Sequence, residues 1–157
     1  MRSSPTLVAA AALFVLVVAE LPRCGRGPGK PAVLASWSLT PGVLNPDVTQ
    51  ATIRSTICAR GWTRTIRPPT DYTNKLKRQG MRSYGLHGSL SDFQEDHLIS
   101  LELGGNPTDP RNLWPEPYPR AADVDRIENE LNDAVCSGEL SLAEAQRRES
   151  ELKHTRG

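Results

Sequence analysis

The spacing of hydrophobic residues changes several times along the first half of the chain. Residues 7–19 form an unbroken apolar run. Residues 45–58 begin with Asn-Pro-Asp and continue with apolar residues at helical spacing, which predicts a helix. Residues 61–67 alternate between polar and apolar side chains and predict a strand, which the two prolines that follow would end. Residues 70–80 predict a short helix with Thr70 as its cap.

The second half of the chain predicts a strand, a turn-rich loop, a second strand and two helices. Residues 93–99 and 112–115 are typical of extended segments, and the stretch between them is dense in Gly, Asn, Pro and Asp. A helix is expected over residues 121–136, where Ser-Gly ends it. A capping box at residues 141–144 opens a last helix, which we expect to end near Lys153. These patterns indicate an α+β fold, a small and mostly helical domain.

The apolar run near the N-terminus is typical of a secretory signal peptide. As a helix it would span about 20 Å, less than the roughly 30 Å hydrocarbon core of a bilayer. We therefore predict a signal peptide over residues 1–19, a linker over 20–40 and one domain over 41–157. The protein is expected to be secreted or periplasmic, with no stable membrane anchor after cleavage. Cys24 lies in the linker, but the residues before it are a poor lipoprotein signal.

Two cysteines, Cys58 and Cys136, fall within the predicted domain. In an oxidising compartment such a pair is more often a disulfide than a metal site. Closing a loop of this length stabilises a fold by roughly 3 to 5 kcal/mol in the chain-entropy model. A catalytic thiol is the alternative, but neither cysteine has a histidine close to it in the sequence.

Basic residues are concentrated in one part of the chain, although the net charge is only +1. Residues 54–82 contain eight Lys and Arg side chains against the single acid Asp71. Concentrated positive charge suits a polyphosphate ligand, whereas the alternative is an ordinary solvated surface. The candidate nucleic-acid contacts are Arg60, Arg64, Arg67, Lys75, Lys77 and Arg78.

The dipeptide Asp96-His97 lies near the end of the predicted strand over residues 93–99. This pair of side chains suits the hydrolysis of phosphodiester bonds. A carboxylate binds a hard cation such as Mg²⁺, and an imidazole that titrates near neutrality can abstract a proton from water. The alternative is a surface pair at a strand end. A further alternative is a different hydrolase, for instance one that acts on glycans with two carboxylates. Nothing in the spacing of the candidates selects such a pair: Glu95, Asp96, Glu102 and Glu116.

The predicted helix over residues 121–136 carries an acid close to its apolar side. Its apolar residues share about 80° of arc: Val124, Ile127, Leu131 and Val135. Glu128 lies about 40° from Val124, on the edge of that stripe. An acid in that place is costly unless it is paired or binds a metal. We therefore expect Glu128 to be a metal ligand, with Asp125 next and Asn129 still open. The alternative is that Glu128 pairs with an arginine such as Arg60 or Arg67.

The segment Asp-His-Leu-Ile-Ser-Leu-Glu-Leu-Gly-Gly at 96–105, followed by Asn112-Leu113, resembles the HNH endonuclease family. More broadly, residues 40–147 resemble small exported bacterial proteins with the motif Asp-His-Leu-Ile-Pro-Leu-Glu-Leu-Gly-Gly and then Asn-Leu-Trp-Pro. The resemblance implies that the domain is built around a ββα-metal motif. Ser100 stands where this pattern has proline, and the predicted helix has no histidine ligand.

The resemblance also implies a role for each motif residue. His97 would be the general base and Asp96 a metal ligand, while Asn112 would orient His97 or the loop that carries it. The cofactor would be a divalent metal, Mg²⁺ first, with Mn²⁺ or Zn²⁺ as alternatives. The substrate would be nucleic acid, DNA rather than RNA. The alternative function is a non-catalytic cell-envelope or extracellular binding protein that retains the fold.

Overall fold

The computed structural model describes residues 33–156 as an α+β domain, as the hydrophobic pattern predicts. Its regular elements, in chain order, are α1 (Trp62–Ile66), α2 (Thr70–Ser83), β1 (Phe93–His97), β2 (Leu113–Pro117), α3 (Arg120–Ser137) and α4 (Leu142–Thr155). The predicted signal peptide and most of the predicted linker lie outside the described residues. Within them, no helix is long and apolar enough to cross a membrane.

The two strands form an antiparallel pair against which α3 packs. Asp96 lies opposite Trp114 and His97 lies opposite Leu113 in the register. The loop between the strands contains two short 3-10 turns, Leu101–Leu103 and Pro110–Asn112. This arrangement brings the end of β1 close to the middle of α3.

Apolar side chains from the loops and the last two helices form the main core. Its buried members are Val48, Ile53, Ile57, Ile99, Leu103, Val135, Leu142 and Ala145. Cys58 packs against this cluster and forms the predicted disulfide with Cys136, joining the loop before α1 to the end of α3. The bridge therefore covalently closes the edge of the core.

Residues 45–58 do not form the predicted helix. They form a series of turns with one 3-10 turn, Ile53–Ser55. The side chain of Asn45 accepts from the backbone amide of Asp47 at 3.0 Å, and the hydroxyl of Thr52 donates to the carbonyl of Asp47 at 2.8 Å. Such local side-chain bonds compete with a regular helix, so the prediction from apolar spacing is wrong here.

The predicted strand over residues 61–67 is also wrong, because this segment is the single-turn helix α1. Gly61 adopts a φ of 84°, which turns the chain into the helix at a conformation that other residues rarely adopt. Trp62 then packs against the main core. Seven alternating residues are too few to distinguish a strand from a short helix by periodicity alone.

The predicted helix over residues 70–80 is confirmed but continues to Ser83. Thr70 is its first residue and makes no capping bond; Pro69 occupies the cap position. Gly80 does not stop the helix: a Cβ there would lie 2.8 Å from Cδ of Pro115. This glycine therefore allows α2 to approach β2 closely.

The last two helices end and begin largely as predicted. Gly138 follows α3 with a φ of 87°, and the hydroxyl of Ser141 accepts from the amide of Glu144 at 3.3 Å at the start of α4. The far end of α4 continues to Thr155, two residues past the predicted end, and the side chain of His154 is buried there.

Residues 33–40, assigned to the linker by sequence, pack against the domain. The amide of Ala35 donates to the carbonyl of Lys153 at 3.0 Å, and Trp37 stacks on His154 with ring centroids 3.6 Å apart. Thr40 is buried, and its hydroxyl bonds that of Tyr84 at 2.7 Å. The folded domain therefore begins before the predicted boundary at residue 41.

A chain that begins at residue 41 is expected to be less stable than one that begins at residue 33. Loss of the bonds to the end of α4 and of the Trp37 stacking should lower the free energy of unfolding by about 2 kcal/mol. Urea unfolding of the two chains, both with the disulfide intact, measures the difference. Equal midpoints would show that residues 33–40 only lie on the surface.

Candidate active site

A cavity of about 280 Å³ lies beside the end of β1. It is lined by side chains from four parts of the domain, among them Arg67, Asp96, His97, Ser100, Asp125 and Glu128. The structure therefore gathers the two motif residues of β1, both predicted acids of α3 and one of the candidate arginines around a single space.

Three carboxylates of this cavity can approach a common cation. Asp96, Asp125 and Glu128 each offer one oxygen, and these oxygens lie within 4.8 Å of one another. Asp96 and Glu128 are buried, whereas Asp125 is half-buried and accepts from the amide of Gln94 at 3.0 Å. Oxygen ligands at such mutual distances suit a hard divalent cation.

An ammonium group that sequence reasoning missed lies against two of these carboxylates. Lys153 of α4 is fully buried, and its Nζ donates to Oδ2 of Asp96 at 2.7 Å and to Oε1 of Glu128 at 2.5 Å. It also donates to the backbone carbonyl of His97 at 2.5 Å and lies 3.3 Å from Oε1 of Glu149. Glu128 therefore pairs with a lysine from the last helix, and not with an arginine as the alternative from the sequence had it.

Burial and mutual contact change the pKa values of these side chains. Burial alone would lower the pKa of Lys153, but the carboxylates of Asp96, Glu128 and Glu149 raise it well above its usual value. Burial opposes ionisation of Asp96 as well, yet Lys153 holds its pKa below the usual range. For Glu128 burial prevails and raises the pKa to about 10. The Asp96–Lys153 pair is therefore ionised, while burial favours the protonated form of Glu128 in the absence of a further cation.

His97 has one ring nitrogen engaged and one available. Its Nε2 lies 3.1 Å from the carbonyl oxygen of Pro107. A carbonyl can only accept a hydrogen bond, so Nε2 carries the proton and Nδ1 presents its lone pair. Burial lowers the pKa of this imidazole, which favours the neutral form that a general base requires.

Asn112 organises the loop between the strands rather than contacting His97. It is fully buried, and its Oδ1 accepts from the amide of Ile99 at 2.9 Å. Its Nδ2 donates to the carbonyls of Ile99 and Asn106, both at 3.0 Å. Of the two roles implied by the resemblance, the structure therefore favours the one that acts on the loop.

Gly105 allows this loop to close. A Cβ at this position would lie 1.7 Å from the carbonyl oxygen of Ile99 and 2.7 Å from Nδ2 of Asn112. Any side chain would displace the amide that connects the two ends of the loop. The second glycine of the motif thus serves close backbone packing.

No family model, curated protein or solved structure matches this chain. Its function therefore has to be argued from the side chains of the cavity and from the motif at residues 96–105.

The basic residues predicted to bind nucleic acid do not all lie at the cavity. Arg67 lines it, whereas Arg60, Arg64, Lys75 and Arg78 are exposed and do not. The ammonium of Lys77 donates to the carbonyls of Leu90 and Phe93 at 3.1 and 2.8 Å. Lys77 therefore fixes the chain before β1, and Arg67 is the arginine placed to meet a ligand in the cavity.

Glu95 lies outside this cavity, between Gln94 and Asp96 on β1, and lines a second cavity of about 230 Å³. Its Oε2 is buried and has no hydrogen-bond partner among the described residues. Burial raises the pKa of this carboxyl to about 8. The folded protein therefore binds a proton here that the unfolded chain releases at a much lower pH.

Replacing Glu95 by glutamine is expected to remove a pH-dependent loss of stability. The folded pKa is above the unfolded one, so the contribution of Glu95 is fully present below pH 4.5 and is lost as pH rises through about 8. At pH 9 the Glu95→Gln variant should be more stable than wild type by about 2 kcal/mol, after allowing for partial exposure. Urea unfolding of wild type and variant at pH 5 and pH 9 tests this. If the difference in their free energies of unfolding is the same at both pH values, Glu95 is solvated in the folded protein.

Proposed function

We propose that this protein is an exported, metal-dependent nuclease that hydrolyses phosphodiester bonds of nucleic acid. One observation carries the proposal: a buried imidazole with an available Nδ1, His97, shares a cavity with three carboxylates whose oxygens lie within 4.8 Å of one another. Proton abstraction and cation binding are the two capabilities that hydrolysis of a phosphodiester by an activated water requires.

The residues of the cavity fit a hard divalent cation. The carboxylates of Asp96, Asp125 and Glu128 would hold it, and such oxygen donors favour Mg²⁺ or Mn²⁺ over Zn²⁺. Ser100 lines the same cavity, and its buried hydroxyl has no hydrogen-bond partner within residues 33–156, so a further polar atom is available there. When bound, the cation would polarise the phosphate and stabilise charge on the leaving oxygen.

Each remaining part of the site has a task in this reaction. Nδ1 of His97 takes the proton of the attacking water, while the carbonyl of Pro107 holds Nε2 and stabilises the imidazolium that forms. Asn112 keeps the loop in the shape that positions this carbonyl. Arg67 offers its guanidinium to the scissile phosphate, because arginine matches phosphate geometry with two parallel hydrogen bonds.

The order of elements around the cavity supports the resemblance to HNH endonucleases. Two antiparallel strands, a loop held by Asn112 and a helix that presents Glu128 follow one another, which is the order expected for a ββα-metal motif. The substrate would be a polyanion, and DNA remains our first expectation. Export agrees with the disulfide between Cys58 and Cys136, since such bonds persist in oxidising compartments.

A second candidate function is a non-catalytic binding protein that retains the fold. It is favoured by the ammonium of Lys153, which already supplies a positive charge to Asp96 and Glu128. Such a protein would fold without metal and would not cleave nucleic acid.

Plasmid cleavage distinguishes the two functions. Disulfide-intact protein lacking residues 1–24 is incubated with supercoiled DNA, and separately with RNA, in Mg²⁺, Mn²⁺ or chelator. We expect nicking with metal and none with chelator. Asp96→Asn should reduce the rate by at least about 100-fold because a charged ligand is lost, whereas Asp123→Asn, at an exposed position of α3, should not. A folded wild type that cuts neither substrate would favour the binding protein.

A further inference from the structure

Lys153 has no task in the proposed hydrolysis, yet its charge is completely buried. Placing an ammonium in the interior is costly, and replacing a buried ion pair as a whole by apolar side chains of similar size often gives equal or greater stability. The buried positive charge of Lys153 therefore calls for a functional explanation. The three acidic groups that contact it are the carboxylates of Asp96, Glu128 and Glu149.

The position of this ammonium is held from two sides. Glu149, one turn earlier on α4, accepts from the backbone amide of Ser100 at 2.9 Å and so joins α4 to the loop after β1. On the other side, Ala35 donates to the carbonyl of Lys153, and His154 bonds the carbonyl of Thr40 at 3.0 Å. The part of α4 that carries Lys153 is therefore fixed both to the loop after β1 and to residues 35–40.

The ammonium would also repel a metal ion in the cavity. Its Nζ lies within hydrogen-bond distance of two of the three expected ligands, Asp96 and Glu128. Like charges that are separated by only a few ångströms and shielded from water repel strongly. The same charge that stabilises the carboxylates without metal therefore opposes binding of a divalent cation.

We propose that Lys153 is the resident counter-cation of this carboxylate cluster. It keeps Asp96 and Glu128 together when no metal is bound, and its charge sets how much divalent cation is needed to occupy the site. The second statement rests on the proposed metal-dependent function; the first does not. The consequence is a protein that folds without metal and becomes active only when the divalent cation is abundant.

The variant Lys153→Met tests both statements. In chelator its urea midpoint should fall below that of wild type, because the buried carboxyl groups of Asp96, Glu128 and Glu149 lose the ammonium that contacts them. Mn²⁺ should bind at least ten-fold more tightly, as measured from the electron paramagnetic resonance signal of free Mn²⁺, and should raise the urea midpoint more than in wild type. The control is Lys75→Met, an exposed lysine of α2, for which both measurements should match wild type.

A second variant covers the case in which Lys153→Met does not fold in chelator. Lys153→Met with Glu149→Gln removes one positive and one negative charge, and the amide oxygen can still accept from Ser100. It should fold in chelator and still bind Mn²⁺ more tightly than wild type. If Lys153→Met is as stable as wild type in chelator, or if neither variant that lacks the lysine binds Mn²⁺ more tightly, the proposal is overturned. Because plasmid cleavage is not measured here, an inactive but folded wild type would contradict the nuclease function and leave this comparison intact.

Discussion

His97→Ala is expected to lower the rate of metal-dependent phosphodiester cleavage by about 10² to 10⁴-fold, the usual contribution of a general base. The loss follows from removal of Nδ1, the nitrogen that remains available while Nε2 is held by Pro107. Initial rates on supercoiled plasmid at saturating Mn²⁺ measure it. The control is His87→Ala, an exposed loop histidine, which should cut as wild type does.

The pH dependence of wild type gives a second readout for His97. Since burial lowers the pKa of this imidazole, cleavage should persist below pH 6.5, the usual value for histidine, before protonation stops it. His97→Ala should lose this decrease in rate at low pH, and added imidazole should restore part of the rate because it can replace the missing side chain. Normal cleavage by a folded His97→Ala would place the base elsewhere.

Asn112→Ala is expected to destabilise the domain by about 4 kcal/mol, because several buried backbone groups lose their partners at once. The amide and carbonyl of Ile99 and the carbonyl of Asn106 all depend on this one side chain. Urea unfolding with the disulfide intact measures the loss. Asn106→Ala is the matched control in the same loop, and should cost about 1 kcal/mol since its side chain is half-buried.

The variant Asn112→Asp separates hydrogen bonding from packing. Its carboxylate can accept from the amide of Ile99 but cannot donate to either carbonyl. It should therefore be nearly as destabilising as alanine despite its similar shape. If Asn112→Asp has wild-type stability, the two donated bonds contribute little and the loop is held by other contacts.

Several elements could be predicted because their signals are local. Gly138 ends α3 and Ser141 begins α4 through bonds within a few residues. The burial of Glu128 follows from its angle to the apolar residues of the same helix. The pairing of Cys58 with Cys136 needed only the small number of cysteines and the expected compartment.

Other elements failed because neighbouring residues offered competing bonds. In residues 45–58 the side chains of Asn45 and Thr52 bond the backbone and replace the helix that the apolar spacing predicts. In residues 61–67 the alternation is too short to exclude a helical turn.

The buried face of α4 shows where sequence reasoning ends. Glu149 and Lys153 continue the helical spacing of the buried residues Leu142 and Ala145, so their inward direction could have been read from the sequence. What they meet could not, because Asp96 and Glu128 are 57 and 25 residues away from Lys153. Helical periodicity describes the direction of a side chain and carries no information about the element packed against it.

By itself, then, the sequence determined the α+β class, the order of strand, loop, strand and helix, and the acids and histidine available for chemistry. Tertiary structure alone decided that Lys153 is the partner of Glu128, that Pro107 sets the tautomer of His97, and that residues 33–40 belong to the domain. The physical reason is the same in each case. Burial makes an unpaired polar or charged group costly, and only the packing of distant segments determines which group satisfies it.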